Sequence, residues 1–365
     1  MTREGLALEQ THFELHRHPK HAAPKHREQP KPRSRIRSVL TGFYRLLVAV
    51  SILIIAGYFA LNYWFKPSVG EQPPEPVQPS GQEQGQQTET VAPVDPNALV
   101  RREGVYNILL AATDNDGFRT DTMMVASYDV TEQQVGVVSV PRDTLVDRGR
   151  GVNPKLVYGG GGVTQRMDEI SEILGVPIDY YIKIDISGFI ALVDYVDGVD
   201  FYVPCDMNYD DPYQNLHIHY TEGMYHLNGQ QAMEVARFRK NNDLSGYTDV
   251  GRTQTQQDLL VALAKKVLSW GNLARINGFV KLFDEYVDTD LELKHMLYFA
   301  SQAINVDMAT GVETFTLEGD GQASFRGFSY CYELDPESTL DAVNRLINPY
   351  TRDLTLEDMA LVQGN

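Results

Sequence analysis

Residues 180–204 read YYIKIDISGFIALVDYVDGVDFYVP. Three spacings follow one another in this stretch. YYIKIDI (180–186) alternates apolar and polar residues, the two-residue period of a half-buried strand. SGFIALVDYV (187–196) changes to helical spacing, with Ser187 expected as the N-cap. VDFYVP (199–204) returns to alternation. A strand, a short helix and another strand within so few residues predict a fold in which the two element types are interleaved.

The same pattern continues in both directions. Upstream, VYNILLAAT (105–113) reads as a buried strand. TMMVASYDV (122–130) and QQVGVVSVP (133–141) read as adjacent strands joined by a turn at Thr131-Glu132. VTQRMDEISEILG (163–175) has helical spacing and closes on Gly175. Downstream, helices are expected from LNGQQAMEVARF (227–238), from Asp249 through Trp270, and from FVKLFDEYV (279–287), ELKHMLYFASQAI (292–304) and PESTLDAVNRLI (336–347). GVETFTLEG (311–319) and SFRGFSYCYEL (324–334) read as single strands. The expected class is α/β, an α+β sandwich in one domain over residues 105–350, with 351–365 as a C-terminal tail.

Charge divides the chain of 365 residues. Its net charge is −17, which excludes a general nucleic-acid binder held by phosphate attraction. Residues 1–45 nevertheless carry ten basic and four acidic residues, so the remainder is near −23. This basic tail lacks a helix-turn-helix pattern and is expected to be disordered and cytoplasmic. Residues 46–65, LLVAVSILIIAGYFALNYWF, hold no charge and are long enough to cross a hydrocarbon core of roughly 30 Å as a helix. A cleaved signal peptide would have a shorter leader and a small-residue cleavage site; here aromatic Tyr63-Trp64-Phe65 and Lys66 follow. The expectation is therefore a single-pass membrane anchor with residues beyond it outside the cell. Residues 66–104, with seven prolines, read as a semi-extended linker. Cys205 and Cys331 both fall in the external part, where a disulfide is permitted but not required.

The charged residues that stand out lie at predicted strand ends and helix starts. Asp114 and Asp121 flank a short loop between two strands, within reach of one divalent cation or simply part of a solvated turn. Arg119 lies on that loop. Arg142 and Asp143 follow the strand ending at Pro141. ARFRKNNDLSGYTDVGRTQTQQ (236–257) holds Arg237, Arg239 and Arg252. Arg237 and Arg239 share a face only if the helix before them ends near Ala236. Asp249, Arg252 and Gln256 fall on one face of the next helix. Guanidinium forks at a helix start suit a pyrophosphate; a solvated basic loop is the equal alternative. YGGGG (158–162) lacks the Lys-Ser/Thr of a nucleotide loop and reads as a plain loop, with Lys155 before it as a further possible phosphate contact.

Taken in order, NILLAATD, FRTDTMM, VSVPRDT, KLVYGGGG, GVPIDYYIKIDISGFIALVDYVDGVDFYVP, LNGQQAMEVARFRK and DVGRTQTQQ closely resemble the LytR–CpsA–Psr domain over about residues 105–350. The resemblance implies a central mixed sheet flanked by helices, preceded by one transmembrane helix. It also implies a cell-envelope phosphotransferase that moves a glycopolymer, such as teichoic acid or capsule, from a polyprenyl-pyrophosphate carrier to peptidoglycan. By the same resemblance, Asp114 and Asp121 look like ligands of Mg2+ or Mn2+. Arg119, Arg142, Arg237, Arg239 and Arg252 look like the pyrophosphate clamp, with Gln256 beside them, and Asp249 like a further acid near the metal. Asp143 and Asp249 are both candidates to activate the acceptor hydroxyl. The apolar runs TMMVASY, YYIKIDISGFIALVDYV and LLVALAKKVL are candidates to line a prenyl groove. Two other readings share this site: a polyprenyl-pyrophosphate hydrolase, and a non-enzymatic binding or regulatory protein of the envelope.

Overall fold

The computed structural model describes residues 35–67, 98–113, 120–243, 245, 249–268 and 276–364. The first element is helix α1 (Arg35–Trp64), which starts inside the segment expected to be tail. Among the described residues, no helix is long and apolar enough to cross a membrane. The linker's residues 68–97 lie outside the described residues. The end of α1 meets the domain: Gln302 donates to the Asn62 amide at 3.0 Å, Tyr106 Oη donates to Pro67 O at 3.1 Å, and Lys66 pairs with Glu103.

The domain begins with β1 (Val105–Thr113), β2 (Thr120–Asp129), β3 (Gln134–Ser139), α2 (Gly162–Leu174), β4 (Tyr180–Asp185) and α3 (Ile186–Tyr195). Two small strand pairs follow, built from β5 (Val199–Val203), β6 (Met207–Asp211), β7 (Leu216–Tyr220) and β8 (Gly223–Leu227). Then come α4 (Gly229–Arg237), α5 (Asp249–Val267), α6 (Ile276–Tyr286), β9 (Val287–Thr289) and α7 (Leu293–Ala303). The chain finishes with β10 (Val312–Thr316), β11 (Gly319–Phe325), β12 (Phe328–Leu334) and α8 (Pro336–Leu346). The central sheet has the order β10-β3-β2-β1-β4-β9. It is mixed, as expected: β1–β4 and β3–β10 are parallel, whereas β1–β2, β2–β3 and β4–β9 are antiparallel.

The two-residue period decides what each face of this sheet does. Leu109 and Ala111 of β1, Met123 and Val125 of β2 and Val138 of β3 pack against Ile170, Ile173 and Leu174 of α2 and Ala342 and Val343 of α8. The alternate residues, Leu110 and Ala112, Thr122 and Met124, and Ile182 and Ile184 of β4, line a cavity under α3, α4 and α5 instead. Fully burying a side chain of this size contributes about 1.5–3 kcal/mol. The first face therefore carries much of the stability, and the second borders an open cavity. Another core joins Val193 of α3, Phe201, Ile218, Leu227, Val235 and Phe238 to Leu259 of α5. α3 and α4 approach so closely that a Cβ on Gly229 would lie 2.2 Å from Ile190 O.

Some local readings change. The N-cap of α3 is Asp185, not Ser187; its carboxylate accepts from Gly188 N at 2.7 Å, so the helix starts as the strand ends. SFRGFSYCYEL is not one strand but the turn and second arm of the β11–β12 hairpin. Arg326 and Gly327 at its turn both have positive φ, 49° and 87°, as a tight hairpin turn requires. Residues 207–227 also hold three strands, concealed in the sequence by their Asp, Asn and His content. The expected C-terminal tail packs back on the domain, with Leu354 buried and Arg352 bound to Asp358 through two hydrogen bonds of 3.1 Å. Both thiols are free: Cys331 is buried beside Leu145 and Phe325, and Cys205 packs against the core around Phe201.

Candidate functional site

The cavity on this second face has a volume of about 590 Å³. Its body is apolar. All three runs expected to border a prenyl groove contribute, with Met124 from the first, Ile184 and Phe189 from the second, and Leu260 and Leu263 from the third among the lining residues. Its lining also includes a cluster of polar groups: Asp121, Arg237, Arg239, Lys240, Arg252 and Gln256. A smaller cavity of about 150 Å³ shares Asp121, Arg239, Arg252 and Gln256, and adds Arg142, Asp143, Thr316 and Tyr332.

Local backbone explains why the arginines converge. α4 starts with a capping box in which Asn228 and Gln231 satisfy each other's backbone N–H groups. It ends at Arg237, and Phe238 is extended, with φ −61° and ψ 132°. Phe238 is buried in the core, so its neighbours Arg237 and Arg239 both turn to the cavity. The expected helix end is thus met within one residue. Arg252, in the first turn of α5, lines both cavities with its Nε and Nη1 shielded from solvent. Arg237 Nη2 donates to Gln214 Oε1 in the β6–β7 turn, a partner hidden in a hairpin that the sequence reading passed over.

Asp121 stands near the start of β2 with its Oδ1 accepting from Arg142 Nη1 at 2.6 Å. Arg142 Nε also lies 3.6 Å from Asp143 Oδ2, whose other oxygen is 3.5 Å from Lys155 Nζ. Lys155 is thereby within ion-pair reach of the Asp143 carboxylate. Gln256 donates to Ala236 O at 3.1 Å, and its amide oxygen accepts from Thr122 Oγ1 at 3.3 Å. It braces α5 against α4 and β2, a positioning role that sequence spacing alone does not show. Lys240 is a further cation of the cavity lining, next to Arg239 and overlooked on reading the sequence. Asp114 and Arg119 lie outside the described residues, as does the side chain of Asp249, although α5 begins at that position.

Such an arrangement can hold a molecule with an apolar chain and an anionic head. The apolar body removes hydrocarbon from water, and guanidinium groups pair with phosphate oxygens at the polar part.

Residues 77–347 match the model of the LytR_cpsA_psr family. A protein of Bacillus mycoides named polyisoprenyl-teichoic acid–peptidoglycan teichoic acid transferase TagU is 30% identical over 258 residues, covering 69% of this chain and 81% of that protein. TagV of Bacillus subtilis, named as the same kind of transferase, is 29% identical over 246 residues; the match covers 66% of this chain and only 61% of TagV. The crystal structure of B. subtilis TagV shares the fold, with a TM-score of 0.56 at 24% identity over 66% of this chain and 95% of that one.

Proposed function

Because the chain belongs to the LytR_cpsA_psr family, we propose that it is a membrane-anchored phosphotransferase acting on the cell wall. It moves a glycopolymer of the teichoic acid or capsule kind from a polyprenyl-pyrophosphate carrier to a sugar hydroxyl of peptidoglycan. The observation that carries this reading is the apolar cavity with Arg237, Arg239 and Arg252 in its lining. A bare phosphate site would not need a large cavity with an apolar body, and a simple lipid pocket would not need three guanidinium groups.

The prenyl chain occupies the cavity between the sheet and α3, α4 and α5. The arginines hold the pyrophosphate and stabilise the charge that grows on it as the bond breaks. The acceptor hydroxyl enters through the smaller cavity beside Asp143. Its proton passes to a carboxylate, Asp143 or Asp249. Its oxygen bonds to the phosphorus bearing the glycan, and the bridging P–O bond breaks to release polyprenyl phosphate. Neither free thiol lines either cavity, and transfer is direct, without a covalent enzyme intermediate.

Asp121 offers a hard oxygen donor where the two cavities meet. That donor fits Mg2+ or Mn2+, which take one or two carboxylates and complete their shell with water and phosphate oxygens. When bound, the ion supplies charge neutralisation at the phosphate oxygens. Asp121 would hold it, joined by Asp114.

The anchor rests on the uncharged run 46–65 within α1. Leu46, Ile52, Leu53, Ile55 and Phe59 of that run are each more than half exposed, an apolar surface suited to lipid. It holds the domain outside the cell at the face where the carrier lipid resides.

The test uses the full chain in detergent with a polyprenyl-pyrophosphate oligosaccharide, peptidoglycan fragments and Mg2+. Mass spectrometry should find a phosphodiester-linked conjugate together with polyprenyl phosphate, both lost in Asp121→Ala. Polyprenyl phosphate without conjugate would identify a hydrolase, and lipid retention without turnover a binding protein.

A further inference from the structure

A cluster away from the cavity has no part in this chemistry. β6 and β7 pair with Asn208 opposite His219 and Asp210 opposite His217. These four side chains alternate with Tyr209 and the buried Met207, Leu216 and Ile218, so they share the hairpin's outer face. Ligand atoms of Asp210, His217 and His219 all lie within 4.8 Å of one another. Asp210 Oδ1 is 2.5 Å from His217 Nδ1 and 3.3 Å from His219 Nε2.

The orientation of His219 adds an independent observation. Its Nδ1 is 2.8 Å from Asn208 Oδ1. An amide oxygen only accepts, so Nδ1 carries a proton and Nε2 is the ring nitrogen turned to the Asp210 carboxylate. In the neutral imidazole with Nδ1 protonated, Nε2 is the nitrogen that can join Asp210 in coordinating a cation. Donation from the far imidazole nitrogen to an oxygen is how metal-bound histidines are commonly oriented. His226 offers a contrast on the neighbouring β5–β8 pair: its Nδ1 meets Asp200 Oδ1 at 2.7 Å, and among the described residues no third ligand group joins them.

We propose that the outer face of the β6–β7 hairpin binds a divalent transition metal of the zinc class through Asp210, His217 and His219. Two imidazoles and one carboxylate favour such an ion over Mg2+, which separates this site chemically from the all-oxygen donor at Asp121. Three protein ligands leave a coordination position open to water. The ion ties together the two strands whose turn carries Gln214, the residue that holds Arg237. It thereby fixes one wall of the cavity from outside.

The experiment is calorimetric titration of the full chain in detergent with ZnCl2, in the presence of excess MgCl2. The tail histidines His12, His16, His18, His21 and His26 are replaced by Asn to remove competing sites. A single equivalent of Zn2+ should bind, and Co2+ in its place should give a low-symmetry visible spectrum. His217→Ala and His219→Ala should each abolish both signals, Asn208→Ala should weaken binding about 10–100-fold, and His226→Ala should change neither. Circular dichroism of the metal-free variants checks that they remain folded, as expected for exposed positions. Absence of a Zn2+ equivalent, or binding that survives both histidine substitutions, would overturn the proposal. So would a His219 that merely titrates as an imidazolium by NMR without responding to Zn2+.

Discussion

Two arginine clusters in this protein use the same side chain for opposite ends. On α2, Glu169 is bound by Arg148 through Nε at 2.6 Å and Nη2 at 2.7 Å, and Arg166 adds a third bond at 2.7 Å. Gln165 donates a fourth to the same carboxylate, at 2.6 Å. Arg166 is 2% exposed and Glu169 7%. Around the cavity, Arg237, Arg239 and Arg252 line a wall with Lys240, and the acids among the lining residues are already engaged, Asp121 by Arg142 and Asp185 as a helix cap. A buried guanidinium matched by a carboxylate belongs to the fold. A concentration of guanidinium groups beside an apolar cavity is an invitation to an anion. The difference lies in the local balance of charge, not in residue type.

This contrast breaks most sharply at Glu169. Glu169→Ala takes the shared carboxylate from two guanidinium groups shielded from water, and should cost about 3–5 kcal/mol in denaturant unfolding. A loss below ~1 kcal/mol would mean that this cluster is not structural. Arg237→Ala should do the reverse. Unfolding should barely change, while turnover of the polyprenyl-pyrophosphate donor should fall about 10²–10³-fold, the usual cost of losing one donor to a developing oxyanion. Arg237→Lys keeps the charge but loses the planar fork, so it should recover little of that rate.

Filling the apolar body sharpens the comparison further. Leu260→Trp should weaken retention of a prenylated donor by about 1–3 kcal/mol, the scale of overpacking a formed site. Retention of inorganic pyrophosphate, measured alongside, should be unchanged. Equal losses for both ligands would place the anion and the chain elsewhere.

Acid gives the smallest effect. Burial pushes the Glu169 carboxyl up, but the Arg148 hydrogen bonds and charge, with Gln165 and Arg166, outweigh this and hold it below its usual value. Asp358, hydrogen-bonded by Arg352 and against some burial, is held at about 2. A depressed carboxylate contributes stability above its unfolded value, near 4, and loses it as pH falls through the folded value. For Asp358 the window is therefore about pH 4 down to 2. Hydrogen exchange should show residues 351–360 opening across that window in the parent protein, whereas Asp358→Asn should show them already open at pH 5. A tail equally protected in both would remove Asp358 as its lock.

Much of the fold was legible because the periods are unambiguous. The strands of residues 105–141 and 180–185 and most of the helices lie where alternation and helical spacing put them. The β6–β8 region was not, because its strands face water on one side and carry His, Asp and Asn there. The site was legible as a list of arginines near a helix end. What could not be read was partnership. Lys155 turns to Asp143, Gln256 becomes a brace, and Gln214, which holds Arg237, comes from a hairpin 23 residues earlier in the chain.

The sequence by itself determined the interleaving of strands and helices and the division into a basic start and an acidic remainder. These follow from local periods and backbone preference, which reach only a few residues. Which sheet face fills with side chains and which stays open, and which arginine finds a carboxylate, was decided only in the tertiary structure. Packing and ion pairing depend on distances between segments far apart in sequence, and those distances do not exist until the chain has folded.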